Sequence, residues 1–204
     1  NHDIHLGHRR LSIVDTSPSS NQPFLSEDSK LVVTFNGEIY NYVELRKELI
    51  ALGCSFRTSG DVEVLMHAYL VWGPDCVTHF NGMWAFSILD FTSGENSAKL
   101  FLSRDRAGEK PLFYEHNLHS FAFSSEAKTL QSNRKLNLDG LNSYLANGYV
   151  MNDQCLYDGI EKLPPAHNAI LDIQSKTLKT WCYWQLPQDD GSSSKISIQK
   201  AAED

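Results

Sequence analysis

Two periods divide the chain. Residues 10–14 (RLSIV) and 31–35 (LVVTF) are short β-prone runs bounded by the turn-rich DTSPSSNQPF and by Asn36-Gly37, so the first unit reads as strand, loop, strand. Asn41 then offers a helix N-cap with Glu44 three residues on. Tyr42, Leu45, Leu49 and Leu52 fall on one stripe, and Gly53 closes the element. The stretch GDVEVLMHAYLVWG sets Val62, Leu65, Met66, Tyr69 and Leu70 at helical spacing, with Gly73 beyond its end. From NGMWAFSILD the period returns to two. Strands are expected at 83–89, 100–103, 112–114 and 121–124, an antiparallel meander broken by TSGENS, RAGEKP and HNLHS turns.

A short helix around Leu141, Tyr144 and Leu145 ends at Gly148, and HNAILDIQSKTLKTWCYWQL supplies a last strand pair after Pro164-Pro165. The stretch PQDDGSSSK is a linker by composition, and ISIQKAAED opens another helix. The expected organisation is one domain over residues 1–187, followed by a linker and the start of a further unit at 188–204. Strand runs with inserted helices argue an α+β fold with mostly antiparallel sheets.

Composition narrows the functions. The chain has 204 residues, and its net charge of -7 is spread without a Lys/Arg cluster, which argues against nucleic acid or an anionic membrane as a partner. No apolar run has the length of a membrane span or signal core, so a soluble, cytoplasmic protein is expected. Cys54, Cys76, Cys155 and Cys182 form no C-x-x-C pair and are read as buried free thiols. The histidines at 2, 5 and 8 would align on a helix, but Gly7 and the following strand signal break it, so no metal site is expected.

Several residues carry chemistry with two readings each. Gly37 would let a backbone N–H approach a ligand, and Asn36 adds a side-chain donor beside it; together they could hold an oxyanion, or they could form a tight turn. Asp61 could bind an ammonium or cap the helix it begins. Arg9 and Arg10 would point to opposite faces of a strand, and an inward guanidinium suits a carboxylate. The SRDRAGEKPLFY segment, with Arg104, Asp105, Arg106 and Lys110, reads either as a charged ligand site or as a turn pinned by an internal ion pair. Glu126 and Lys128 read as a solvated helix start.

The motifs GHRRLSIVD, FNGEIYNY, SGDVEVL, FNGMWAFSILD, SRDRAGEKPLFY and FSSEAKTL, in that order and spacing, resemble the N-terminal glutamine amidotransferase domain of glutamine-hydrolysing asparagine synthetases. The resemblance implies an N-terminal-nucleophile hydrolase sandwich, two antiparallel sheets between helical layers. It implies that Asn36 and Gly37 form the oxyanion hole and that Glu38 belongs to the glutamine pocket. Arg10 would hold the α-carboxylate, backbone atoms of Leu11, Ser12, Ile13 and Val14 would line the pocket, and Asp61 would take the α-ammonium. Glu109 stands where the family usually has an apolar residue.

In the family, a cysteine at residue one attacks the glutamine amide, with the chain's own α-amine as base. This chain opens on Asn1 instead, and stops where an ATP-binding synthetase domain would begin. It therefore reads as a fragment that lacks the nucleophile and first strands, inert alone. The resemblance implies no cofactor in this domain, with ATP and Mg2+ in the synthetase domain of the same chain. L-glutamine is the expected ligand, and the oligomeric state is open, a homodimer being one option. Two other readings stay open: a non-catalytic glutamine-binding module, and the amidotransferase domain of a relative that amidates another acceptor.

Overall fold

The computed structural model describes residues 3–11, 14–130, 134–151 and 154–187. Ser12, Ile13 and the expected linker and helix at 188–204 lie outside them. In chain order the elements are β1 (Phe24–Leu25), β2 (Leu31–Ile39), α1 (Tyr42–Ala51), α2 (Asp61–Trp72), β3 (Gly82–Asp90), β4 (Lys99–Arg104), β5 (Phe113–His116), β6 (Phe121–Ser124), α3 (Leu138–Asn147), β7 (Glu161–Lys162), β8 (His167–Asp172) and β9 (Leu178–Cys182). A six-stranded sheet has the order β1-β2-β3-β4-β8-β9 and a three-stranded sheet the order β6-β5-β7, with every pairing antiparallel. Among the described residues no helix is long and apolar enough to cross a membrane.

The period of two places the core. On β2 the odd positions Leu31, Val33, Phe35 and Ile39 pack with Leu45 and Leu49 of α1 and with Val62, Leu65 and Met66 of α2. Trp84, Phe86 and Ile88 of β3 and Phe101 of β4 extend the same face. The opposite face carries Ala85, Leu89, Leu100, Leu102, Ala169 and Leu171, which meet Leu112 and Leu163 and the rings of Tyr114, Phe121 and Phe123 from the second sheet. Helices thus cover one face of the large sheet and the small sheet covers the other.

The large strands and the α1 and α2 helices follow the sequence pattern, and several other expectations change. Residues 10 and 11 are not in a strand, because Arg10 donates to the carbonyls of Asp15 (through Nη2) and Ser17 (through Nη1), folding this stretch into a loop. Asn36-Gly37 does not turn the chain but lies inside β2, paired with Ala85 and Trp84. Asn41 sits at the N-cap of α1 with no capping bond of its own, since its amide donates to the His79 carbonyl and accepts from Asn81 N–H. Leu52 and Leu70 fall at the solvent side of their helices. Of the cysteines, Cys76 and Cys155 are buried, whereas Cys54 is half-buried and Cys182 exposed.

The RDRAGEK turn is pinned by charge-to-backbone bonds instead of an ion pair. The buried Asp105 carboxylate accepts from the N–H groups of Trp84, Ala107, Glu109 and Lys110, while Arg104 donates to the carbonyls of Gly108, Lys110 and Leu163. Beside it, the buried Trp84 indole N–H donates to Ser103 Oγ at 3.0 Å. Ser103→Ala leaves that donor unsatisfied and is expected to cost about 2 kcal/mol, lowering Tm by roughly 4–8 °C. An unchanged thermal melt would show that this bond contributes nothing.

Candidate active site

One cleft of about 1240 Å³ runs along the inner face of β2 and β3, and Arg10, Asn36, Gly37, Glu38 and Asp61 all line it. Leu11 and Val14 line it too. The residues that the resemblance assigns to the glutamine site therefore converge, apart from Ser12 and Ile13, which are outside the described residues, whereas Arg104, Asp105 and Arg106 are not among the lining residues. None of the four cysteines is among the lining residues. Burial pushes the Cys76 and Cys54 thiols up, the reverse of what a nucleophile needs.

The ladder sets the direction of the Gly37 N–H. Trp84, opposite Gly37, uses its own N–H on Asp105 Oδ2 and its carbonyl on the Asp105 N–H. Gly37 and Trp84 therefore form a pair without mutual hydrogen bonds, and the Gly37 N–H turns to the outer edge of β2. The same edge presents Phe35 N–H, taken by Gln22 Oε1 at 2.6 Å, and Ile39 N–H, taken by Asp61 Oδ2 at 3.1 Å. The glycine is required there. A Cβ at Gly37, whose φ is 155°, would stand 2.1 Å from the Met83 carbonyl oxygen.

On the even side of β2, Thr34, Asn36 and Glu38 face the cleft. Thr34 and Ser87 satisfy each other across the strands at 2.7 Å. Asn36 donates its amide to Ser125 Oγ at 3.4 Å, so the FSSEAKTL motif touches the site through a residue to which sequence reasoning gave no role. Glu126 and Lys128 of that motif form an exposed ion pair beside a 3-10 turn.

Asp61 is not the N-cap of α2. Gly60 holds that position, and Asp61 is the first helical residue, buried, with its carboxylate turned back to β2. Among the described residues it has no cationic partner. Burial raises its pKa, with the Glu38 charge adding to the rise and the Ile39 N–H opposing it. A buried carboxylate that lines a cleft and has no direct ion-pair partner there is suited to receive one. The Arg10 guanidinium is complementary: two carbonyls hold it, which leaves three of its five N–H groups for a ligand.

Two carboxylates outside the expected set shape this clamp. Glu63, almost fully buried, accepts from Arg57 N–H, Thr58 N–H and Thr58 Oγ1, closing the turn that leads into α2. Asp15, also buried, bonds Ser17, Ser20 and Ser59. The only sequence signal for either was an acidic residue among serines or apolar positions.

Comparison with known proteins agrees with this geometry. Residues 1–184 match the family model described as "Glutamine amidotransferase domain". The chain is 36% identical to a putative asparagine synthetase (glutamine-hydrolyzing) 2 of Methanocaldococcus jannaschii, covering 92% of this chain and 39% of that protein. It is 34% identical to asparagine synthetase (glutamine-hydrolyzing) 3 of Bacillus subtilis, covering 95% and 31%. The chain thus spans well under half the length of these relatives. Among solved structures, the glutamine phosphoribosylpyrophosphate amidotransferase from B. subtilis superposes with a TM-score of 0.57 at 20% identity, over 86% of this chain and 34% of that one. That likeness, together with the two antiparallel sheets, bears out the N-terminal-nucleophile sandwich expected from the sequence.

Proposed function

This chain belongs to the glutamine amidotransferase domain family, and we propose that its cleft binds L-glutamine as the ammonia-supplying half of an asparagine-forming enzyme. The observation that carries the reading is the buried Asp61 carboxylate, with no ion-pair partner among the described residues, in the same cleft as the Arg10 guanidinium and the Asn36-Gly37 donors. Glutamine is zwitterionic at Cα and neutral at its side-chain amide. An anion, a cation and two neutral donors lining one cleft match those three groups.

Arg10 grips the α-carboxylate through two parallel hydrogen bonds and Asp61 takes the α-ammonium. The side-chain amide oxygen then lies toward the Asn36 Nδ2 and the Gly37 N–H. When a thiolate adds to the amide carbon, that oxygen becomes anionic and the two donors, already held by the sheet, stabilise it. Ammonia leaves, and water releases glutamate from the thioester. These side chains carry binding and oxyanion stabilisation; the thiol step is not theirs, since no cysteine of the sequence lines the cleft.

The relatives' names, asparagine synthetase (glutamine-hydrolyzing), support asparagine formation by a longer protein; on the proposed reading aspartate is the acceptor and a synthetase domain uses ATP and Mg2+. Calorimetry on the 204-residue polypeptide tests the binding half. L-glutamine should bind with one-site stoichiometry and without glutamate release. Asn36→Ala should weaken binding only several-fold, because its main partner is the transition-state oxyanion. Absence of binding heat in a folded sample would refute the reading.

A further inference from the structure

The two charges of the clamp come from segments far apart in sequence, and one carboxylate touches both. Asp15 Oδ1 accepts from Ser17 N–H at 2.8 Å. Its Oδ2 accepts from Ser20 Oγ at 2.8 Å, Ser59 N–H at 3.0 Å and Ser59 Oγ at 3.1 Å. The first two bonds fold residues 15–20, and the Arg10 guanidinium donates to the carbonyls of Asp15 and Ser17 in that stretch. The other two cross to the residue two before Asp61. Between them Gly60 packs so closely that a Cβ would meet Ser20 Oγ at 3.1 Å and Asp15 Cβ at 3.4 Å.

From this juxtaposition we infer that Asp15 is a positioning residue that registers the Arg10 half of the clamp against the Asp61 half, so that a ligand carrying both α-groups is favoured over one carrying either alone. The inference rests on the glutamine reading of the cleft. Asp15 is suited to the task because hydrogen bonds, those from Ser17 first, hold its carboxyl well below the usual carboxylate range. It stays an anion, accepting throughout, at any pH where the clamp works. Arg46 secures the turn before Asp61 separately, donating to the carbonyls of Thr58 and Gly60 at 2.8 and 2.9 Å, so that turn does not depend on Asp15 alone.

Calorimetric titration with three ligands tests this: L-glutamine, glutaramate (glutamine without its α-amine) and 4-aminobutanamide (glutamine without its α-carboxylate). Asp15→Asn should weaken L-glutamine about tenfold and each analogue less than about threefold, because an analogue engages one half and needs no registration. Ser59→Ala, which removes one of the two crossing bonds and is milder for folding, should show the same pattern at about threefold. Equal weakening of all three ligands would mean a merely structural role, and unchanged glutamine binding by folded variants would mean no role; either overturns the inference. Wild-type chain that fails to bind glutamine would sink the reading of the cleft itself, and this inference with it.

Discussion

Asp61→Asn is expected to weaken L-glutamine binding at least about a hundredfold while raising Tm at neutral pH. The first effect follows from removing the anion opposite the ligand ammonium in a site shielded from water, where losing one partner of a charged pair costs roughly 3 kcal/mol or more. The second follows from the direction of the pKa shift. Burial raises the Asp61 pKa in the folded protein, so its contribution to stability is fully present below the unfolded value and is lost as pH rises through the folded value. At neutral pH the ionised carboxylate is a net liability, and Asn can still accept from Ile39 N–H.

The difference in Tm between variant and wild type should therefore shrink as pH falls. Wild-type glutamine affinity has the opposite trend, held at neutral pH and lost as Asp61 protonates. Melts and titrations from about pH 4 to about pH 8 read both. A variant that melts lower and still binds glutamine would mean that Asp61 is a structural residue.

Gly37→Ala should lower Tm by roughly 8–16 °C and remove glutamine binding. A Cβ there meets the Met83 carbonyl oxygen at 2.1 Å and Trp84 Cα at 2.8 Å, both backbone atoms of the facing strand that cannot rotate away. Overpacking and the positive φ together amount to about 4 kcal/mol. Parting β2 from β3 at this point also moves the Asn36 amide and the Gly37 N–H, which is why binding and stability fall together. Gly148→Ala is the control. That residue has φ 79° with nothing within 4 Å of its Cβ, so backbone strain acts alone and should cost about 1–2 kcal/mol. Equal melting temperatures for the two variants would contradict the steric account.

The long strands and α1 and α2 were legible because their apolar positions repeat at periods of two and 3.6, with the helices closed by Gly53 and Gly73, whereas the two-residue strands β1 and β7 were not. That Arg10, Asn36, Gly37, Glu38 and Asp61 would line one cleft was legible through motif order. The connections among them were not. Asn-Gly is a common turn dipeptide, and only the register with Ala85 and Trp84 shows that it continues a strand. The non-strand form of Arg10 and Leu11 depends on Arg10 finding the carbonyls of Asp15 and Ser17, which no local propensity encodes. The Asp15 bond to Ser59 spans 44 residues and carries no periodic signal at all. In α3 the helical pattern was present, but Tyr144 and Leu145 point to solvent while Gly140 is buried close against the Cys155 carbonyl.

The most direct test of the cleft as a glutamine site is a titration of the 15N-labelled polypeptide with L-glutamine, followed by backbone amide shifts. Saturable shifts centred on Arg10, Gly37, Ile39 and Asp61, absent in Asp61→Asn, are the expected result. No shifts at saturating glutamine, or shifts centred on a surface away from β2 and the start of α2, would contradict it.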